Sequence, residues 1–196
     1  RFNYNRTVLN PAQLFVSSFI LIILIGALLL MTPRATVGGL SFVDALFTST
    51  SAVCVTGLIV VDTGSYFTDF GQVVILLLIQ IGGLGILTFA SYFSYFFKGG
   101  STYENQLALS DMTNSNKLGE VFSTIKSILL ITFGIELVSA ILIYSSLDSS
   151  FFPSESRKIF FAVFHSISAF CNAGFSTLQN GLYESGFRLE YHVHLV

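Results

Sequence analysis

Two glycines, Gly57 and Gly174, close stretches of fifteen residues that resemble each other. A shift of 117 positions lays VDALFTSTSAVCVTG (43–57) over FFAVFHSISAFCNAG (160–174). Seven pairs coincide: Ala45/Ala162, Phe47/Phe164, Ser49/Ser166, Ser51/Ser168, Ala52/Ala169, Cys54/Cys171 and Gly57/Gly174. The chemistry such a pair offers lies in the main chain. Glycine reaches positive φ and lets a strand turn its carbonyl oxygens toward a common axis, and a ring of such oxygens can replace the hydration shell of a cation. Reactive side chains are sparse by comparison. Glu136 and His165 could serve as an acid and a base, but the chain has no His-Glu-x-x-His and no Gly-x-Ser-x-Gly, the spacings that hydrolytic metal and serine chemistry require. Cys54 and Cys171 stand in no close-spaced pair, which argues against zinc or thiol exchange and for packing as small apolar groups.

The elements that must position these glycines are apolar. Of 196 residues 53% are hydrophobic and 10% charged, against roughly 25% charged in ordinary soluble domains. The mean hydropathy is +0.75. This composition excludes a water-soluble globule. Nine scattered Lys and Arg in a chain of net charge -2 also exclude nucleic acid, whose binding needs clustered cations. About 20 apolar residues are needed to cross some 30 Å of hydrocarbon, and three runs supply them: 14–31, 71–97 and 127–147. Asn10-Pro11 predicts the start of the first, with an N-cap residue before a proline that lacks only a spare N–H. Residues 98–126 read as a polar loop with a short surface helix.

Two further apolar runs, 42–53 and 159–170, reach only about 18 Å as helices at 1.5 Å per residue. By length alone runs this short are most often amphipathic surface helices; the other readings are buried helices or re-entrant segments, and the repeat between the two runs favours the last. Ser41-Phe42-Val43-Asp44 resembles a capping box at the head of the first, and Pro153-Ser154 opens the second. Because irregular backbone is tolerated inside a membrane only where protein or a water-filled cavity surrounds it, the glycine loops are expected to line a cavity. The short helices would point their partly negative C-terminal ends at it, which favours a cation. The repeating unit is span, short helix, glycine loop, span, with a last span expected near His192.

The stretches SAVCVTGLIVVDTG, GQVVILLLIQIGGLGILTF and FHSISAFCNAGFSTL resemble the membrane subunits of the Trk/Ktr/HKT potassium transporters over essentially the whole chain. The resemblance implies an all-α membrane protein of membrane-pore-membrane repeats with re-entrant pore helices, one complete repeat plus most of a second. Residues 1–120 would form the first repeat with its cytoplasmic loop, and 121–196 the second, truncated one. Carried over by position, Cys54-Val55-Thr56-Gly57-Leu58 and Cys171-Asn172-Ala173-Gly174-Phe175 would be two filter strands whose main-chain oxygens bind potassium. Each strand has a single glycine, which implies a weaker preference for potassium over sodium than two would give. Two loops cannot close a four-sided filter, so either residues beyond Val196 supply the other half or two copies associate; a truncated chain is the expectation. The family also implies a homodimer of complete subunits, a cytosolic nucleotide-binding regulatory subunit, and sodium as a candidate coupling ion.

Arg1 and Arg6 before the first span, and Lys98, Lys117 and Lys126 between the second and third, predict a multi-pass protein of the cell membrane with a cytoplasmic N-terminus. Arg34 stands against Asp44, Asp62 and Asp69 on the opposite side, although Arg157, Lys158 and Arg188 dilute the asymmetry. Within the spans Glu136 and Gln80 form a candidate intramembrane polar site, since a mid-span charge demands compensation. It would serve either as a cation-pathway carboxylate or as a paired acid at a helix contact. His165 is expected to pack behind the filter, and Gly82-Gly83-Leu84-Gly85 to admit a close neighbour. Rival readings are an intramembrane enzyme using Glu136 and His165, and a non-conducting assembly fragment.

Overall fold

A computed structural model describes residues 11–98, 117–147 and 151–179. The described residues form helices and connecting turns, with one isolated bridge between Thr36 and Phe67. Six helices follow in order: α1 (Pro11–Leu30), α2 (Phe42–Val53), the single turn α3 (Thr63–Tyr66), α4 (Asp69–Lys98), α5 (Lys117–Ser146) and α6 (Glu155–Phe170). Three of them, α1, α4 and α5, are long and apolar enough to cross a membrane, with apolar windows Gln13–Leu30, Asp69–Ala90 and Ser123–Ser146.

The short helices begin where side chains supply the missing acceptors. Ser41 Oγ accepts the Asp44 N–H at 3.2 Å and donates to the Asp44 carboxylate at 2.7 Å, satisfying one of the open donors at the start of α2. At α6 the cap is Ser154, which accepts from the Arg157 N–H. This helix therefore runs four residues ahead of its apolar run at 159–170. The extra turn carries charges that leave the core sideways: Arg157 reaches Asp69 at 2.5 Å, and Lys158 lies 4.4 Å from the Tyr144 ring centre.

A second correction concerns the expected polar loop at 98–126. Residues 117–126 already belong to α5, because the apolar spacing of Val121, Phe122 and Ile125 continues the helix beyond its bilayer-length window. Residues 99–116, the Asn10 cap and the expected last span near His192 lie outside the described residues.

Packing centres on α4. It contacts α1, α2, α5 and α6, while α2 leans on α1 and α6 on α5. The main core joins Ala27 and Leu30 of α1, Ala45, Ala52 and Val53 of α2, and Ile75, Leu78 and Ile79 of α4, and it extends to Phe164, Ala173 and Phe175. Its small residues let the short helices sit close to the long ones. The outer faces of α1 and α5 carry exposed Leu21, Leu28, Leu130, Ile131, Leu137 and Val138, apolar surface that water would not favour and hydrocarbon does.

Candidate functional site

The two glycine loops begin as helix ends. Cys54 and Cys171 are the C-caps of α2 and α6, both close to right-handed helical geometry. The next residues, Val55 and Asn172, turn left-handed with φ of 56° and 55°. Val55 N–H then donates to Ala52 O at 3.2 Å and Thr56 N–H to Ser51 O at 2.9 Å. The same two bonds recur 117 residues later, from Asn172 to Ala169 O at 2.9 Å and from Ala173 to Ser168 O at 2.7 Å. This is a Schellman closure, usually built on glycine and sometimes on asparagine. A β-branched valine in that conformation is an outlier, and strain of this kind costs of order 1–3 kcal/mol.

Two residues further on, Gly57 and Gly174 both have φ of 72°, which a Cβ would penalise. Here the loops meet. A Cβ on Gly57 would lie 2.5 Å from Ala173 O and 3.2 Å from Gly174 Cα, and a Cβ on Gly174 would lie 3.4 Å from Gly57 Cα. The strands thus approach backbone to backbone, with no room for a Cβ at Gly57 and only contact distance for one at Gly174.

The surrounding helices hold this arrangement. Ser49 Oγ donates to Ile23 O of α1 at 2.8 Å, and its counterpart Ser166 Oγ donates to Glu136 O of α5 at 2.6 Å. Each short helix is therefore pinned to a main-chain carbonyl of the span before it. On α4, a Cβ at Gly82 would run into Val53 O, and one at Gly83 would lie 2.5 Å from Cys171 Sγ. The glycine cluster of α4 thus admits both loops as neighbours, as close packing requires, and α4 continues unbroken through it.

This geometry coincides with a sequence match. The TrkH cation transport protein family matches residues 2–185. The chain belongs to the TrkH family of cation transport proteins. Among curated relatives, the Ktr system potassium uptake protein B of Bacillus subtilis is 42% identical over 173 residues, 88% of this chain and 38% of the relative. The potassium/sodium uptake protein NtpJ of Enterococcus hirae is 36% identical over 181 residues, covering 90% and 39% of the two chains. The Ktr system potassium uptake protein B of Vibrio alginolyticus is 37% identical over 172 residues, covering 87% and 37%. The chain spans about four tenths of the length of these relatives.

In this TrkH-family chain the remaining singled-out residues divide between the two loops' surroundings. Gln80 Nε2 donates to both Glu136 oxygens, at 2.9 and 3.3 Å, so the two polar residues picked from the spans meet each other across α4 and α5. His165 is buried behind the second loop. Its Nδ1 lies 2.9 Å from Phe161 O, which can only accept, so Nδ1 carries the proton and Nε2 accepts from Ser176 Oγ at 2.9 Å. Glu136 and His165 are thus each bonded to other groups, and the acid–base pair of the enzyme reading is not assembled; membership of a cation-transport family removes that reading.

Of the ten carried-over carbonyls, that of Phe175 already accepts from Ser168 Oγ at 2.7 Å; its second lone pair is the one left for a further ligand. Thr56 Oγ1 lies 3.1 Å from Ser51 Oγ in the matching corner of the first loop. The cysteines differ from the expectation that both pack inside. Both are free; Cys171 lies against Gly83 of α4 and is partly covered, whereas Cys54 is exposed.

Four features escaped the sequence reading: the left-handed turns at Val55 and Asn172, and the anchors at Ser49 and Ser166. The anchors carried a signal, because both serines coincide in the repeat.

Proposed function

We propose that the chain is the N-terminal portion of a potassium-uptake transporter and that its two glycine loops are half of a backbone-carbonyl selectivity filter. The observation that carries this reading is the meeting of two loops with the same unusual backbone path, glycine against glycine, at the C-terminal ends of two short helices. Strained backbone that recurs in both copies of a repeat is what a site that must hold its oxygens in place demands. The names of the relatives, two potassium uptake proteins and one potassium/sodium uptake protein, support the choice of ion.

In this reading α2 and α6 are re-entrant pore helices, residues 1–120 are a first membrane-pore-membrane repeat, and 121–196 are part of a second. The ions meet main-chain oxygens of Cys54, Val55, Thr56, Gly57 and Leu58, and of Cys171, Asn172, Ala173, Gly174 and Phe175. Two further repeats of the complete protein close the ring, in keeping with relatives more than twice as long. The protein is multi-pass with its N-terminus in the cytoplasm. Complete subunits pair as a homodimer on a cytosolic nucleotide-binding partner, and sodium is the candidate coupling ion.

The test is potassium and sodium uptake by the complete protein carrying Gly57→Val or Gly174→Val, in proteoliposomes with the wild type beside it. Loss of uptake, or a changed preference between the two ions, is the expected result. Uptake with unaltered preference in both variants overturns the filter reading. Reconstituting the 196-residue chain alone tests the completion of the ring, and the expected flux is nil.

A further inference from the structure

The two loops are anchored differently. Ser49 of the first short helix bonds the carbonyl of Ile23, an apolar residue of α1, whereas Ser166 of the second bonds the carbonyl of Glu136, whose own side chain is tied to Gln80. Glu136 is thereby held at two points, by its main chain to α6 and by its carboxylate to α4. Both connections lead to the same place. Gln80 and Gly83 lie three residues apart, on one face of α4, and Gly83 abuts Cys171 Sγ. Ser166 lies five residues before Cys171 on α6. Glu136 and Gln80 are only 5% and 8% exposed, and Gln80 Oε1 has no hydrogen-bond partner. A buried polar pair at this depth is costly in a span, and as a tie between α4 and α5 it sets where α6 and its loop sit relative to the first loop.

We propose that the Gln80–Glu136 pair is a positioning element that holds the second glycine loop in register with the first and thereby governs discrimination between potassium and sodium. This rests on the filter reading above. The hydrogen bond acts, and not the charge: an amide at position 136 can still accept from Gln80 Nε2 and can in addition donate to the unpartnered Gln80 Oε1.

The test uses the complete protein in proteoliposomes, with rubidium uptake measured in the presence of rising sodium. Glu136→Gln is expected to retain uptake and discrimination. Glu136→Leu and Gln80→Leu are each expected to retain uptake but to lower discrimination about tenfold, equivalent to about 1.4 kcal/mol. The double variant is expected to do no further harm, because both single changes break one bond. Unchanged discrimination in Glu136→Leu overturns the proposal. So does a Glu136→Gln protein as damaged as Glu136→Leu, because charge would then be the active property. Should Glu136→Leu fail to insert, Gln80→Met supplies the same comparison. Gly174→Val is run in parallel: if it leaves uptake and preference intact, the filter reading has failed, independently of what Glu136 does.

Discussion

At Gly57 the space for a side chain is already taken by backbone of the other loop, and at Gly174 the same approach is looser by about an ångström. Alanine scanning of the two positions should therefore be asymmetric. Gly57→Ala is expected to impair potassium uptake more than Gly174→Ala, and equal effects in a transport assay would contradict the packing described. The preceding positions make a second prediction. Val55 occupies a left-handed turn that asparagine already fills in the other loop, so Val55→Asn should keep uptake and change stability by no more than about 1 kcal/mol, relief of strain being offset by the loss of a partly buried side chain. Val55→Pro fixes φ near −65° and removes the N–H that bonds Ala52, and should abolish uptake. Much of this site was legible in the sequence, because the repeat aligns glycine with glycine. The left-handed turns were not, since a valine in that conformation breaks the rule by which such turns are recognised, and the asparagine at 172 was the one residue that hinted at them.

The two short helices depend on single hydroxyls for their attachment. Ser49→Ala and Ser166→Ala each remove one inter-helix hydrogen bond to a carbonyl that lies within the preceding span's own helix; each should lower the stability of the detergent-solubilised protein by about 1 kcal/mol. A drop confined to one of them would mean that only one of the two hydroxyl bonds holds its short helix in place. Replacement of Gly82 by valine is the harsher test, since it drives a branched side chain into the last carbonyl of α2, and loss of folded protein on size-exclusion chromatography is the expected outcome. Of the elements, α2 was readable to the residue because Ser41 and Asp44 mark its start. The first turn of α6 was hidden because Arg157 and Lys158 interrupt the apolar run that locates the helix. The opening of α5 reads in the sequence as part of a polar loop with a short helix for a similar reason: Lys117, Glu120 and Lys126 make the stretch look polar. Gln80 and Glu136 are legible as one candidate polar site of the spans, but their direct hydrogen bond is not, since the register between residues 56 apart on two helices is decided by packing.

Across the whole molecule the one ion pair joins the starts of α4 and α6 at Arg157 and Asp69, among the described residues. Both side chains are largely exposed, so the pair is worth at most about 1 kcal/mol. Asp69→Asn is accordingly expected to leave the melting temperature of the complete protein nearly unchanged, and a large drop would mean that this side of the molecule is closed off from water. An all-helical chain with three runs long enough to cross a membrane was legible from composition and run lengths, whereas the central place of α4 was not, because its glycines look alike whether they bend a helix or admit a neighbour. The Schellman closures have a further consequence. They are knitted from peptide groups, which every residue but proline carries, so their hydrogen bonds survive a change of side chain even where, as at Val55, the left-handed turn is strained. A duplicated gene can then let Val-Thr drift to Asn-Ala between the cysteine and the glycine while the path of the chain is inherited intact. Exchanging the two left-handed residues, Val55 for Asn and Asn172 for Val, should be tolerated for the same reason.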